Sequence, residues 1–245
     1  MKKMIEQIVS NFKIDGDFVE AKPFGNGHIN ETFLVSFNLD GLITEYILRK
    51  INKYVFKNPV IVVDNTVNVI NHITKKLKEA GERNLSNHVM KLIETKDSKY
   101  YFIDAQDDFW CSVVFIKDAY TVDYVETSEQ AFQAARAFGR FQKQLIDADI
   151  SEYKDSIPNF HNLESRLTAF DIAVNENLVG RAKDASKEIE LANSFRFLSK
   201  KITSLIKSNE LPIRITHNDT KINNVMLNKE TNEGQCVIDL DTVMP

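Results

Sequence analysis

The chain has 245 residues, 43% of them hydrophobic and 27% charged, and a formal net charge of −4 at pH 7. This is ordinary globular composition, enough for one large domain or two modest lobes, and it excludes a disordered tail. A weak negative charge gives no general attraction to a phosphate backbone, so nucleic acid is a poor partner, and any nucleotide must be held by a local cluster of donors.

Residues 1–10 interrupt their apolar side chains with Glu6 and Gln7, which makes an amphipathic helix and not a signal peptide. No run of about 18 apolar residues occurs, so no membrane-spanning helix is expected. Residues 18–24, 32–37 and 45–51 are rich in β-branched and aromatic side chains and read as three consecutive strands. The first connection holds Gly25, Gly27, His28 and Asn30, and the second holds Asn38, Asp40 and Gly41, a hairpin signal. An antiparallel meander is the natural reading.

Residues 62–80 then space Val62, Val63, Val67, Ile70, Ile73 and Leu77 at helical intervals, and Gly81 stops the pattern. Residues 89–93 and 99–103 read as two further strands leading to a longer one at 109–116. The pattern breaks at 117–121. The boundary between an N-terminal nucleotide-binding lobe, 1–116, and a C-terminal catalytic lobe, 117–245, is placed there.

Thr127 and Gln130 have capping-box spacing, and Phe132, Ala135, Phe138, Gln142 and Leu145 continue one helical face. Leu191, Phe195, Leu198, Ile202 and Leu205 alternate steps of four and three, as in a helix packed within a bundle. Beyond Pro212 the chain returns to short strands at 213–216, 225–227 and 235–240. The two cysteines, Cys111 and Cys236, lie in apolar runs with no partner nearby in sequence, so two free buried thiols in a reducing, cytoplasmic compartment are expected. The fold class is α+β: an antiparallel sheet with one main helix, then a mostly helical lobe.

The strongest chemical signal is His217, Asp219 and Asn224, an Asp two residues after a His and an Asn five residues after that Asp. This is the spacing of a kinase catalytic loop, in which a carboxylate accepts the proton of an attacking hydroxyl and an amide oxygen holds a metal ion bridging nucleotide phosphates. Asp219 takes the first role and Asn224 the second. Alone, the spacing could be a chance match or an Asx-type turn. Its surroundings favour the kinase reading, because a hairpin then delivers Asp239 directly after Val237 and Ile238. A carboxylate emerging there can hold Mg²⁺, so Asp239 is the second metal ligand. Asp241 reads equally as a carboxylate capping a turn.

Gly25 and Gly27 would let backbone N–H groups approach phosphate oxygens, although Gly-x-Gly is also a common hairpin turn. Asn30 stands where a protein-kinase loop has its third glycine. Arg49 and Lys50 end the third strand where kinases place a phosphate-binding cation, and side-chain alternation lets only one of them face the cleft. The helix that follows has no glutamate at 62–78 to pair with that cation, and its inward polar positions read as Asn68, Asn71 and His72. His28, Thr220 and Asp241 are candidates for the acceptor side. His161 and Arg166, near a helix start, are no better than surface residues. The five histidines and two cysteines form no zinc pattern, and no Gly-x-Ser-x-Gly elbow occurs.

These residues resemble the aminoglycoside phosphotransferase and choline kinase superfamily, and within it the N-acetylhexosamine 1-kinases. The resemblance rests on residues 25–32, 216–224 and 237–245, and runs more weakly through 46–52, 110–118 and 138–145. It implies a protein-kinase-like two-lobed fold, ATP and Mg²⁺ as cofactors, and direct transfer of the γ-phosphoryl group to the C1 hydroxyl of an amino sugar. It also makes residues 115–118, with Phe115 and Lys117, the linker whose backbone meets the adenine ring. Rival expectations are a kinase of another small alcohol, such as an aminoglycoside, choline or homoserine, and a catalytically silent nucleotide-binding module. The resembling kinases continue through further helices past the position of Pro245, so a truncated catalytic lobe is expected, with part of the acceptor site missing.

Overall fold

The computed structural model describes residues 2–25 and 29–245. Gly27 and His28, two of the expected loop contacts, lie outside the described residues. The chain divides into a larger compact unit, Met1–Ile157 with Arg214–Pro245, and a smaller one, Pro158–Ile213.

In the larger unit, helix α1 (Lys2–Val9) buries Ile5, Ile8 and Val9, the i, i+3, i+4 stripe of an amphipathic helix. That stripe lies against the sheet side chains Phe33, Val35, Phe37, Leu48 and Trp110. Strands β1 (Asp17–Pro23), β2 (Glu31–Leu39) and β3 (Leu42–Ile51) form the expected antiparallel meander. Asp40 and Gly41 both have positive φ between Leu39 and Leu42, the two-residue turn whose twist suits a hairpin.

Two more strands, β4 (Phe102–Ile103) and β5 (Phe109–Val114), complete a five-stranded sheet in the order β1-β2-β3-β5-β4. Residues 89–93 are not a full strand. Ile93 donates to the Ser112 carbonyl and Val114 to the Lys91 carbonyl, leaving one bridge, Leu92 to Val113. β4 uses the same edge of β5 at Phe109 and Trp110, so two short segments share what the sequence suggested were two complete strands.

Helix α2 (Pro59–Glu79) begins with proline in its first turn, where the missing N–H costs nothing. Its buried polar residues are Asn65 and Thr66, one turn before those expected. Asn68 instead bonds the Glu152 carbonyl, Asn71 is exposed, and His72 meets Asp147 and the Gln144 carbonyl. Eight of the eleven residues from Pro59 to Val69 are β-branched or apolar, so period alone could not fix which face turns inward.

Helix α3 (Ser128–Gln144) starts with the predicted capping box, Thr127 with Gln130. It packs on a three-stranded sheet of β6 (Ala119–Tyr120), β7 (Val225–Asn228) and β8 (Gly234–Val237). The approach is close at Gly234, where a Cβ would sit 2.6 Å from the Gln133 carbonyl oxygen. Val225, Leu227, Cys236 and Val237 are buried in this core, and Met226 and Ile238 are partly covered by it. Residues 213–216 form no strand beyond a bridge between Thr216 and Met244, and the last strand stops at Val237, before Asp239 and Asp241. Both cysteines are free and buried. Among the described residues no helix is long and apolar enough to cross a membrane.

The smaller unit holds α4 (Leu163–Glu176), α5 (Ser186–Ser194) and α6 (Phe197–Lys207). Asn162 caps α4 by accepting from the Ser165 N–H, and an Asp171–Arg196 ion pair links α4 to the start of α6. The periodic run from Leu191 to Leu205 is two helices broken at Phe195 and Arg196, and Leu191, Phe195, Leu198 and Ile202 are exposed.

Candidate active site

His217 is fully buried between the rings of Phe138 and Phe141 on α3, at centroid distances of 5.4 and 5.7 Å. Its Nε2 lies 2.9 Å from the Ile238 carbonyl, and its Nδ1 lies 3.3 Å from the Asp219 backbone N–H. The carbonyl accepts and the backbone N–H donates, so the ring is neutral with its proton on Nε2. Burial pushes the His217 pKa down, against the pull of the Ile238 carbonyl and nearby carboxylates. His217 is therefore an anchor that fixes the loop to the strand end before Asp239.

Asn218 adopts the left-handed conformation that asparagine tolerates, at φ 62°. Its amide nitrogen donates to the carbonyls of Thr216, Thr242 and Met244. Thr242 returns a bond from its hydroxyl to the His217 carbonyl at 2.7 Å. The loop at 216–219 and the segment at 242–244 are thus stitched together.

Asp219 follows with 36% of its side chain open. Its Oδ2 accepts from Lys221 Nζ at 2.8 Å and from Asn224 Nδ2 at 3.1 Å, and Asn224 also donates to the Asp219 carbonyl at 2.9 Å. The bond from Asp219 raises the Lys221 pKa, so this cation stays charged. Commitment of the Asn224 nitrogen leaves its amide oxygen as a donor to a cation. Lys221 was not singled out from sequence. Its place two residues after Asp219 in the same loop is the signal that could have found it.

The turn after β8 carries Asp239, a left-handed residue at φ 59°, ψ 59°, and then a 3₁₀ turn at Leu240–Thr242. Aspartate, like asparagine, visits this region more readily than other non-glycine residues. The Asp239 side chain is 39% open, whereas that of Asp241 is only 7% open. Arg49, itself 16% open, reaches both carboxylates through Nη2, at 2.5 Å from Asp241 and 3.3 Å from Asp239. Burial works against the Arg49 charge, but the two carboxylates more than offset it and raise its pKa above the ordinary arginine value. Partial burial raises the Asp239 pKa; Arg49 and Lys221 oppose this, while Asp241 and Asp219 add to it.

The ambiguity at the end of β3 is resolved by these contacts. Arg49 faces the carboxylates, and Lys50 points to the other face, to Asp108 at 2.7 Å and Glu31 at 3.2 Å. Asn30 joins the same group, with Nδ2 donating to Asp241 Oδ2 at 2.7 Å. Asp241, expected as a turn cap or an acceptor contact, is the buried centre of this network.

The other expected residues have neighbours of their own. Phe115 donates its backbone N–H to the Glu45 carbonyl, and its ring meets that of Phe24 edge-on at 5.8 Å. Gly25 has φ 80° and open space where a Cβ would stand. Lys117 is exposed, 3.4 Å from the Ile43 carbonyl, and Thr220 is exposed.

The donors fit a hard divalent cation. Asp239 offers a partly open carboxylate and Asn224 an amide oxygen, and oxygen ligands are what Mg²⁺ selects. Among the described residues no group of three or more His, Cys, Asp or Glu side chains is placed to hold a metal ion by itself.

A five-stranded antiparallel sheet with one long helix, followed by a His-x-Asp-x4-Asn loop and an Asp-bearing turn, defines a protein-kinase-like phosphotransferase fold. The sequence profile described as the phosphotransferase enzyme family matches residues 20–245, and the chain belongs to that family. Among solved structures the chain is similar to a spectinomycin phosphotransferase crystallised with ADP and spectinomycin. The TM-score is 0.58 at 13% identity, covering 100% of this chain and 70% of that one.

Proposed function

We propose that this phosphotransferase is an ATP- and Mg²⁺-dependent kinase of a small molecule, and that its acceptor is the anomeric C1 hydroxyl of an N-acetylhexosamine. The observation that carries the kinase reading is the Asp219 carboxylate, bonded to Asn224 and Lys221, in the same unit as the Arg49, Asp239 and Asp241 cluster. The sugar reading is supported by the Gly-His-Ile-Asn wording at 27–30 and the Asn-Asp-Thr-Lys wording at 218–221.

In this reading residues 1–116 form the nucleotide-binding lobe and 117–245 the catalytic lobe. Gly25, Gly27 and the backbone of 115–118 receive the nucleotide, and the free donors of Arg49 meet its phosphates. Asp239 and the Asn224 amide oxygen hold Mg²⁺, which when bound offsets phosphate charge. The acceptor hydroxyl oxygen attacks the γ-phosphorus in line, the bond to the β-phosphate oxygen breaks, and Asp219 takes the hydroxyl proton. Lys221, beside Asp219, neutralises charge on the phosphoryl group in transfer. His28 and Thr220 are candidate acceptor contacts.

A second reading, an aminoglycoside kinase, is favoured by the likeness to the spectinomycin enzyme. A cationic acceptor needs carboxylates or aromatic faces, whereas a neutral amino sugar needs mixed hydrogen-bond partners. The test is a phosphorylation screen of N-acetylglucosamine, N-acetylgalactosamine, aminoglycosides and choline with ATP and Mg²⁺. Transfer to the N-acetyl sugars is expected; transfer to aminoglycosides or choline alone would replace the acceptor assignment.

A further inference from the structure

In protein kinases a glutamate on the helix after the third strand holds the phosphate-binding cation. Here α2 has no glutamate at 62–78, and Arg49 draws its acid partners from the turn 190 residues downstream. The α2 side chains Val62, Val63 and Thr66 border a cavity of about 20 Å³ beside Arg49 and Asp241. That is room for about one water and not for an acidic side chain.

Asn30 closes the network from the other side. Besides its bond to Asp241, its Oδ1 accepts from the Asn52 backbone N–H at 2.9 Å, and Asn52 Nδ2 donates to the Ile29 carbonyl at 3.0 Å. Both ends of the Asn30 amide are therefore committed within the protein. They connect three places: the arm that leaves the glycine loop, the end of β3, and the turn that carries Asp239 and Asp241. A guanidinium has five N–H donors in a planar fork. The two acids engage one nitrogen, Nη2, so the fork is held from behind with other donors left over.

We infer that Asn30 and Asp241 are positioning residues, which aim Arg49 at the nucleotide phosphates from the metal-binding turn in place of an acid on α2. The inference rests on the kinase reading above and assigns these two residues a role that neither glycine-loop nor acceptor contacts would give them. Its physical basis is the asymmetry of buried charge. Arg49 and Asp241 are nearly closed to water, so each fixes the other strongly. The Asn30 amide is a neutral brace that restrains the Asp241 oxygen to which Arg49 donates. Cutting the brace leaves the pair intact but lets the fork turn, which harms phosphate binding and spares the rest of the nucleotide.

The test is calorimetric titration of the full chain with ADP plus Mg²⁺ and, separately, with adenosine. Wild type, Asn30→Ala, Arg49→Met and the double variant are compared, with Arg49→Lys used if the methionine variant does not fold. Thermal unfolding of each is recorded without ligand. Asn30→Ala should weaken ADP about tenfold, the scale of one misdirected charge-assisted hydrogen bond, and change adenosine affinity by less than about twofold. In the Arg49-substituted background the same change should cost ADP less than about twofold, because Asn30 acts through Arg49. Equal losses for ADP and adenosine, or an undiminished tenfold loss without Arg49, would overturn the inference. A wild-type chain that binds no ADP, with Asn30 and Arg49 still non-additive in unfolding, would overturn the kinase reading and the aiming role together. Normal wild-type binding with an unaffected Asn30→Ala variant would overturn the aiming role alone.

Discussion

The loop at 217–224 and the turn at 239–242 both present carboxylates, and they are held in opposite ways. Asp219 is partly open, with a lysine and an amide as partners within its own loop. Asp241 is closed to solvent, and its partners come from far upstream, Arg49 on β3 and Asn30 just before β2. Asp239 stands between them, close to Arg49 yet partly open. A group that must exchange a proton with substrate needs access, whereas a group that aims a cation needs rigidity. In the proposed reading this difference separates chemistry at Asp219 from scaffolding at Asp241, 22 residues further along the chain.

Stability should separate the two regions most. Asp241→Ala leaves Arg49 buried with Asp239 as its remaining acid. It should destabilise by about 3 kcal/mol, the low end of the cost of breaking a buried pair. Asp219→Ala removes a partly exposed pair and should cost under about 1 kcal/mol, as should Lys50→Met on the outer face of β3. Urea unfolding at pH 7 measures all three. Equal losses at Asp241 and Asp219 would dissolve the distinction.

A smaller effect comes from His217, which anchors both regions. Its folded pKa is pushed down by burial, so below about pH 6.5 the unfolded chain binds a proton that the folded chain refuses. The stability linked to His217 is complete above that pH and is lost as the pH falls toward the lower folded value. His217→Gln should therefore flatten the fall of Tm between pH 7 and pH 5 relative to wild type. An unchanged slope would mean that the imidazole is not held neutral.

Much of this was legible in sequence because it is local. The meander, the Asp40–Gly41 hairpin, the Thr127–Gln130 capping box and the spacing of His217, Asp219 and Asn224 depend on neighbours a few residues apart. The choice between Arg49 and Lys50 was not, since alternation gives opposite faces without saying which is covered. The inner face of α2 lies one turn earlier than its polar residues suggest, because its apolar residues are nearly continuous. The partner of Asp241 lies 192 residues away, and no local pattern encodes such a pair. Residues 89–93 carry strand-like composition, but β4 competes for the same edge of β5.

In the proposed reading Asp239, with Asn224, holds the metal-bound nucleotide while Asp219 takes the proton, and Asp239→Ala and Asp219→Ala assayed side by side separate the two roles. Turnover is read with ATP and the best acceptor from the screen, and ADP affinity is read by calorimetry with and without Mg²⁺. Asp219→Ala should lower kcat by at least about a hundredfold with ADP affinity little changed, because losing a general base acts on the transition state. Asp239→Ala should remove the Mg²⁺-dependent part of ADP affinity. Near-normal turnover in Asp219→Ala, or Mg²⁺-dependent affinity that survives in Asp239→Ala, would overturn these roles.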